Sequence, residues 1–389
     1  MSLIIEYCVT VYLCSRKYMG EMPCISMDKS LKLKMGTVAI IGMVINDLTI
    51  IDIAKKANVS TATVSRVLNG TGNVSPKLRR RVEQVVAEEN YIPNIFAKGM
   101  IRHSIQTIGV ICPILLDPIH ARYLSVIERN LRSHGFNVLL LCNMGRDSNK
   151  SPYLEQLLSK MVDAIILVGI TMEEVAHPDS FVRAAAKVPI LIVNGFLEAH
   201  NVYCVYADEY AAIRDVVCML FQKGYRRPLY LYDTWTFSGY QKYNGYMDAF
   251  RSAGRDPDPD LLLRVEDFPE EAEMPEYYYC VSHSREIMEQ ALQRGLDFDC
   301  VVTADDILAA GAIEALRNAG RDLTRLPVIG FNNTFVADCT YPKLTSIDNL
   351  PDEMCSLAVS HLISVLKKKN KMQRLITPYR LAQRDSFVL

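Results

Sequence analysis

Basic side chains are concentrated in one short stretch of this chain, and their chemistry is the binding of anions. Between Asp47 and Gln106 there are nine Lys or Arg and five Asp or Glu, whereas the whole chain of 389 residues has a formal net charge of −1. Lys55 and Lys56 are adjacent, and a second basic cluster spans Lys77–Arg81. Such clusters reach phosphates, and phosphate contacts set the affinity and register of a DNA-binding protein. If the chain binds nucleic acid, this segment is the part that binds it.

Three helices are predicted to position these basic residues. Thr49 and Asp52 have the spacing of a helix cap with an acidic residue three positions on, so the first helix begins after Thr49. The residues 58–60 form a turn, and Ser60 can cap a second helix. The inward faces of both helices are apolar at helical spacing, at Ile50, Ile53, Ala54, Ala57, Val64, Val67 and Leu68. A helix, a short turn and a second helix form the unit whose second helix fits the DNA major groove.

A third helix begins after a second turn. Ser75 is a capping residue and Pro76 suits the first helical position, and the pattern predicts a helix as far as Asn90.

The rest of the chain alternates between short apolar strands and helices. The predicted strands are Thr107–Cys112, Asn137–Cys142, Ala164–Val168, Ile190–Asn194, Pro228–Tyr232, Cys300–Thr303 and Pro327–Phe331, and the predicted helices include Ala121–His134, Tyr210–Lys223 and Asp306–Ala319. This alternation is typical of doubly wound parallel sheets covered on both faces. The fold class is α/β, and the length of this part suits two lobes.

Several classes of protein do not fit the sequence. With 50% hydrophobic and 22% charged residues the chain is neither a disordered polymer nor a collagen. The longest uncharged apolar run, Thr37–Ile45, is half of the roughly 18 residues that a membrane-spanning helix needs. The eleven cysteines are scattered and odd in number, so reduced thiols are expected; Cys280 and His283 are better explained by packing than by metal binding.

Enzyme motifs are also missing from the sequence. The glycine-containing turn at 70–75 follows a helix and lacks a third glycine, and neither a phosphate-binding Walker loop nor a GxSxG motif is present. We therefore expect no catalytic residues, no cofactor and no metal.

A longer match identifies a family. The segment LTIIDIAKKANVSTATVSRVLNG (48–70), followed by Val74-Ser75 and by NYIPN (90–94), resembles the head-piece of the lactose-repressor (LacI/GalR) family of bacterial transcription regulators. Further segments follow in the order of that family: TIGV (107–110), GYRR (224–227), GY (245–246), TADD (303–306), GFNN (330–333), LTSI (344–347) and RDS (384–386).

The resemblance implies a domain organisation. A helix-turn-helix DNA-binding domain spans 47–92, a hinge helix 93–104, and a two-lobed effector-binding and dimerisation domain, similar in fold to periplasmic sugar-binding proteins, 105–389. Residues 1–46 lie outside the match and show no sustained period, which suggests an over-long translation start.

In that family the start of the recognition helix reads base edges, which implies this role for Thr61, Ala62 and Arg66. Arg66 can bond bidentately to a guanine, and Ala62 offers a methyl contact to a thymine. A hinge helix, matching Pro93–Arg102, places an apolar wedge in the minor groove, and here Met100 takes that position; a plain linker is the alternative. The complete set of expected DNA-binding residues is Thr49, Ser60, Thr61, Ala62, Thr63, Ser65, Arg66, Asn69, Asn94, Ala97 and Met100.

The ligand-facing positions of the family fall on Ile119, His120, Asn194, Lys242, Phe268, Asp305 and Asn332. Amides and carboxylates exchange hydrogen bonds with hydroxyls, and Phe268 can stack on a sugar face, so a polyol suits this set. The family usually has Arg at Lys242 and Asp at Asn332. With a lysine and a neutral amide instead, the cleft loses one negative charge and keeps one positive charge. This charge balance favours an anionic ligand such as a uronate or a sugar phosphate, although Asp305 opposes it.

The resemblance implies a cytoplasmic homodimeric transcription regulator, expected to be a repressor, that binds a palindromic operator under control of a small sugar-like metabolite. The alternative is a secreted or cytosolic sugar-binding protein without a DNA-binding role. That alternative leaves the pattern of residues 49–100 unexplained.

Overall fold

The computed structural model describes residues 48–68, 70–91, 104–142, 149–232, 236–265, 276–369 and 372–388, with 276–280 described by their backbone alone. The chain divides into two compact units, residues 1–93 and 94–389. The described residues contain no helix that is long and apolar enough to cross a membrane. The segment 1–46 lies outside the described residues.

The described residues of the first unit form three short helices, α1 (Ile50–Lys56), α2 (Thr61–Leu68) and α3 (Pro76–Glu88). They form because each begins at a capping residue and carries one apolar face: Thr49 caps α1, and Ser75 caps α3. The faces meet in a small core, whose buried members are Ile53, Ala54, Ala57, Val64, Val67 and Val82. The predicted helix-turn-helix is confirmed.

The third helix is two residues shorter than predicted. It ends at Glu88, and Asn90 adopts a positive φ of 47°. Asn accepts this left-handed conformation more readily than most residues, so the turn begins before the predicted end at Asn90.

The second unit has two lobes, each built on a six-stranded sheet in the described residues. The sheet of the first lobe has the order β11-β5-β4-β3-β1-β2 and is parallel throughout. Its strands are β1 (Thr107–Cys112), β2 (Asn137–Cys142), β3 (Ala164–Val168), β4 (Ile190–Val193), β5 (Val202–Ala207) and β11 (Arg374–Thr377). Its helices are α4 (Pro118–Ser133), α5 (Ser151–Ser159), α6 (Met172–Ala176), α7 (Asp179–Ala185) and α13 (Pro351–Leu366).

The sheet of the second lobe has the order β12-β10-β9-β8-β6-β7, and only the edge strand β12 is antiparallel to its neighbour. Its strands are β6 (Pro228–Tyr232), β7 (Leu262–Arg264), β8 (Cys300–Thr303), β9 (Val328–Phe331), β10 (Thr345–Asp348) and β12 (Arg380–Ala382). Its helices are α8 (Glu209–Gln222), α9 (Phe237–Ser252), a 3-10 turn at Pro259–Leu261, α10 (Glu276–Gln293), α11 (Asp306–Asn318) and α12 (Val336–Cys339).

The chain passes between the lobes three times, after β5, after β10 and between β11 and β12. Apolar residues on both faces of each sheet are buried against helices, as the continuous apolar runs predict. The doubly wound α/β class is therefore confirmed.

Element boundaries differ from the prediction by a few residues. β4 ends at Val193, because Asn194 turns away with a φ of 58°. β9 begins at Val328, one residue after the predicted start at Pro327. Helix α4 begins at Pro118 rather than Ala121, because Asp117 caps it. The helix predicted from Tyr210 begins at Glu209, behind the cap Asp208.

Candidate DNA-binding surface and effector cleft

The residues of α2 that are predicted to read bases are presented to solvent. Thr61, Ala62 and Arg66 are all exposed, while Val64 and Val67 on the opposite face are buried. The helical repeat therefore separates the side chains predicted to read bases from those that hold the helix in place.

Other hydroxyls predicted to contact DNA are engaged in helix capping. The Thr49 hydroxyl donates to Asp52 Oδ2 at 2.6 Å, and its oxygen accepts from the Asp52 N–H at 3.4 Å. The Thr63 N–H donates to Ser60 Oγ at 3.2 Å, and the two hydroxyl oxygens of Ser60 and Thr63 lie 2.9 Å apart. Ser65 is half-buried. These residues stabilise the two helix starts.

The basic residues divide into exposed and engaged groups. Lys56 forms an ion pair with Glu89 at 2.6 Å, and Arg81 donates to the backbone oxygen of Asn58 at 2.8 Å, which ties α3 to the turn between α1 and α2. Lys55, Lys77 and Arg80 are exposed.

Five predicted site residues lie outside the described residues. They are Asn69, Asn94, Ala97 and Met100 of the DNA-binding set and Phe268 of the effector-binding set.

Three predicted effector residues come together at the carboxyl ends of the second sheet. Lys242, on α9, is buried; its ammonium donates to the backbone oxygen of Ala304 at 2.9 Å and lies 4.1 Å from the centre of the Phe331 ring. Asp305 directly follows Ala304, and its carboxylate accepts from the Leu308 N–H at 2.7 Å, capping α11.

Asn332 follows β9 with a φ of 88° and is 8% exposed. Helix α9 and the ends of β8 and β9 therefore place Lys242, Asp305 and Asn332 in one neighbourhood.

The remaining predicted residues belong to the first lobe. Ile119 is buried in the first turn of α4, and the ring Nδ1 of the neighbouring His120 lies 3.2 Å from the backbone oxygen of Ile114 and 3.4 Å from Asp117 Oδ2. Asn194 follows β4, and its amide donates to Glu209 Oε1 at 3.3 Å. Ile119 thus belongs to the apolar core of the first lobe, and Asn194 makes a polar contact to the start of α8.

A buried polar network links both lobes, and sequence reasoning missed its centre. The amide nitrogen of Asn349 lies 3.1 Å from the Tyr123 hydroxyl, 3.4 Å from Glu209 Oε1 and 3.3 Å from Asn332 Oδ1. Burial, with the charge of Glu209 nearby, raises the pKa of Tyr123 well above its usual value. The Asn349 Oδ1 atom is buried and has no partner among the described residues. The network joins α4 and α8 to the ends of β9 and β10.

A second contact between the lobes lies at the start of α9. The Phe237 N–H donates to the backbone oxygen of Ile170 at 2.9 Å, and Thr171 and Thr236 form an isolated antiparallel bridge. The Phe237 ring lies 5.3 Å from the ring of Tyr206 and 6.3 Å from that of Phe196. The lobes therefore meet through aromatic side chains as well as through the Asn349 network. The strand-end rule would have found Asn349 and Tyr206 if β5 and β10 had been predicted.

The arrangement defines a class of protein: a helix-turn-helix unit followed by a two-lobed parallel α/β module whose polar residues converge at the strand ends. The chain belongs to the LacI family of bacterial regulatory proteins. The model of that family's regulatory domain matches residues 49–94, and the model of the periplasmic binding proteins and sugar binding domain of the LacI family matches residues 105–383. The predicted family is confirmed, and the chain is a DNA-binding transcription regulator.

Proteins similar to this chain are also transcription regulators. An HTH-type transcriptional regulator of Lachnoclostridium phytofermentans is 36% identical over 82% of this chain and 93% of its own length. The lac repressor dimer bound to operator and the anti-inducer ONPF has a TM-score of 0.75 at 21% identity, covering 87% of this chain and 98% of that one. A complex of the transcriptional regulator CelR with cellobiose has a TM-score of 0.62 at 24% identity, covering 87% and 100%. These two structures share the fold of this chain.

Proposed function

We propose that the chain is a repressor that binds a palindromic operator as a homodimer, and that a small sugar or sugar derivative bound between its lobes sets its affinity for DNA. The observation that carries this proposal is the buried network in which Asn194 and Asn332 contact Glu209 and Asn349 and so join both lobes. Lys242 bonds to Ala304, directly before Asp305, at the neighbouring strand end. A ligand that replaces hydrogen-bond partners within such a network changes the contacts between the lobes. Allosteric control requires a ligand to bind two arrangements of the protein with different free energies, and such a replacement provides that difference.

The chemistry of the cleft favours a polyol. Asn194 and Asn332 offer amides, and the orphaned Asn349 Oδ1 is a buried acceptor that a ligand hydroxyl satisfies. The structures similar in fold include complexes with ONPF and with cellobiose, which supports a sugar-like ligand.

The charge of the cleft favours an acidic sugar. Lys242 brings a positive charge to a buried position, while Asn332 is neutral. Asp305 and the buried Glu209 oppose this balance. The Asp305 carboxylate is committed to the cap of α11, and Glu209 Oε1 accepts from Asn194 and Asn349. We therefore infer a uronate or a sugar phosphate rather than a neutral sugar.

On the DNA side, the proposal assigns base reading to Thr61, Ala62 and Arg66, whose exposure supports it. We further propose the domain boundaries 47–92, 93–104 and 105–389, with Asn94, Ala97 and Met100 acting in the hinge. We also propose that the protein acts in the cytoplasm and has no catalytic role. A relative named as a transcriptional regulator supports this.

The DNA-binding half is tested with an operator selected from random DNA. Arg66→Ala should weaken binding to that operator by roughly 1–3 kcal/mol and binding to random DNA much less, because the residue reads a base. The control is Lys77→Ala, which should weaken both alike. An unchanged ratio of specific to random binding in Arg66→Ala contradicts the base-reading role, and no selected operator at all favours the sugar-binding protein without a DNA-binding role.

The effector half is tested by calorimetric titration with glucose, glucuronate and glucose 6-phosphate, followed by other matched neutral and acidic sugars. The wild type should prefer the acidic member of a pair, and Lys242→Met, which keeps the volume of the side chain, should lose that preference. A ligand that binds should shift operator affinity by roughly 5–150-fold. A wild type that prefers the neutral member contradicts the charge argument.

A further inference from the structure

Gly72 lies directly against the side chain of Arg66. Gly72 belongs to the turn that follows α2 and has a φ of +75°. A Cβ atom placed on it would lie 3.3 Å from Arg66 Cδ, 3.6 Å from Cγ and 3.7 Å from Nε. A Cβ at position 72 would therefore press on the aliphatic stem of the arginine, and the stem would have to shift by a few tenths of an ångström.

The turn is fixed to the same arginine through the backbone. The Thr71 N–H donates to the backbone oxygen of Arg66 at 3.0 Å, and the Gly70 N–H donates to the backbone oxygen of Val67 at 3.2 Å. Gly72 therefore follows directly after a residue, Thr71, that is hydrogen-bonded to the backbone of Arg66. These bonds fix the turn, against which the arginine stem packs, to the end of α2.

We propose that Gly72 is a positioning residue for Arg66 and so a determinant of DNA sequence specificity. The inference rests on the proposed base-reading role of Arg66. An exposed arginine has many rotamers, and a bidentate contact to a guanine requires one orientation of the planar guanidinium. The bare Cα of Gly72 lets the stem pack against the turn, which restricts those rotamers and therefore the orientations open to the guanidinium.

Gly70 provides a matched control in the same turn. Its φ is +63°, so a Cβ at position 70 meets the same backbone penalty as one at position 72. No heavy atom lies within 4 Å of a Cβ built at Gly70 among the described residues. The two glycines therefore share the backbone requirement and differ in their contact with Arg66.

The experiment compares Gly72→Ala, Gly70→Ala, Arg66→Ala and the double variant Arg66→Ala/Gly72→Ala. Each full-length protein is titrated with the selected operator, with operators carrying single base-pair changes and with random DNA, and its thermal unfolding is recorded. We expect similar losses of thermal stability in the two glycine variants. Of the two glycine variants, only Gly72→Ala should reduce the ratio of specific to random binding. We expect a drop of roughly fivefold, which is smaller than the drop in Arg66→Ala.

The position of the loss separates positioning from folding. Gly72→Ala should lose discrimination at the same base pair as Arg66→Ala, and it should cause no further loss in the Arg66→Ala background, because coupled residues are not additive. Equal loss in Gly70→Ala and Gly72→Ala overturns the inference. If Arg66→Ala itself keeps its discrimination, the proposed base-reading role fails and the inference fails with it.

A second pair covers the case in which an alanine variant does not fold. Asn tolerates a positive φ better than Ala does. Gly72→Asn should fold and lose discrimination, and Gly70→Asn should fold and keep it. A Gly72→Asn protein that discriminates as the wild type does overturns the inference.

Discussion

Two carboxyl groups, one in each unit, have nearly the same hydrogen-bond partners and opposite pKa shifts. Asp52 accepts from the N–H and the hydroxyl of Thr49, at 2.9 Å and 2.6 Å. Asp306 accepts from the N–H and the hydroxyl of Thr334, at 2.6 Å and 2.9 Å, and from Ser346 at 2.6 Å. Hydrogen bonds to Thr49 hold the pKa of exposed Asp52 below its usual value, whereas burial raises the pKa of Asp306 to about 6.

This difference in burial bears on how each unit binds its ligand. Arg66 of the helix-turn-helix unit is exposed, so its guanidinium is solvated before DNA binds. Polar groups of the second unit are already bound to one another, as Lys242 is to Ala304 and Asn332 is to Asn349. On the proposed function, DNA adds contacts to this chain, whereas an effector would replace contacts that already exist.

The largest expected effect comes from the small core of the first unit. Ile53 is fully buried, and Ile53→Ala should cost about 2–5 kcal/mol of unfolding free energy because the truncation leaves a cavity. A unit with so few buried residues has little stability to spare. We expect Ile53→Ala to lose operator binding near its melting temperature while the calorimetric transition of the second unit stays where it was.

Ile166→Ala is the matched control, since Ile166 is equally buried in the core of the first lobe. It should lower the transition of the second unit and leave that of the first. If Ile53→Ala lowers both transitions together, the two units are not energetically separate and the comparison fails.

Asp306 gives the next largest effect, through pH. Its folded-state pKa is above that of the unfolded chain, so the folded state binds more protons between about pH 4 and pH 6. The free energy of unfolding should therefore fall by about 3 kcal/mol as the pH rises through that window. Arg384 is the charged neighbour that opposes the shift. Asp306→Asn should remove this slope, measured by urea unfolding at pH 4 and at pH 7.

Asp52→Asn is the control of opposite sign. The pKa of Asp52 is lowered on folding, so its contribution to stability is present above its unfolded pKa and is lost as the pH falls through its folded pKa. Asp52→Asn should abolish that acid-side loss. If the wild type and Asp306→Asn change in parallel from pH 4 to pH 7, the raised pKa of Asp306 is wrong.

The same contrast explains what the sequence could predict. The caps Thr49 and Ser60 and the buried strands β1 and β3 follow from spacing within a few residues, because the contacts involved are local or uniformly apolar. The apolar face of α2 likewise follows from its period. The fold class needed nothing beyond such local patterns, whereas the family was identified from the resemblance of segments between 48 and 386.

The Asn349 network could not be predicted in this way. Its members come from α4, α8 and the ends of β9 and β10, and a buried Glu209 has the local pattern of an ordinary acidic helix start. Strand β11 is mostly exposed, and it joins the sheet only because α13 returns the chain beside β5. Such residues become neighbours through topology, which spacing does not encode.

Thr49 gives the smallest expected effect and tests the comparison inside the first unit. The family resemblance places Thr49 among the DNA-binding residues, yet its hydroxyl proton is committed to Asp52 Oδ2. Thr49→Ala should cost about 1 kcal/mol of unfolding free energy, because it removes the cap of α1, and Thr49→Ser should cost much less. Both variants should bind the selected operator as the wild type does at temperatures where each is fully folded, measured by titration. If Thr49→Ala binds more weakly there and Thr49→Ser does not, the hydroxyl leaves Asp52 for a phosphate, and DNA exchanges contacts at this residue instead of adding them.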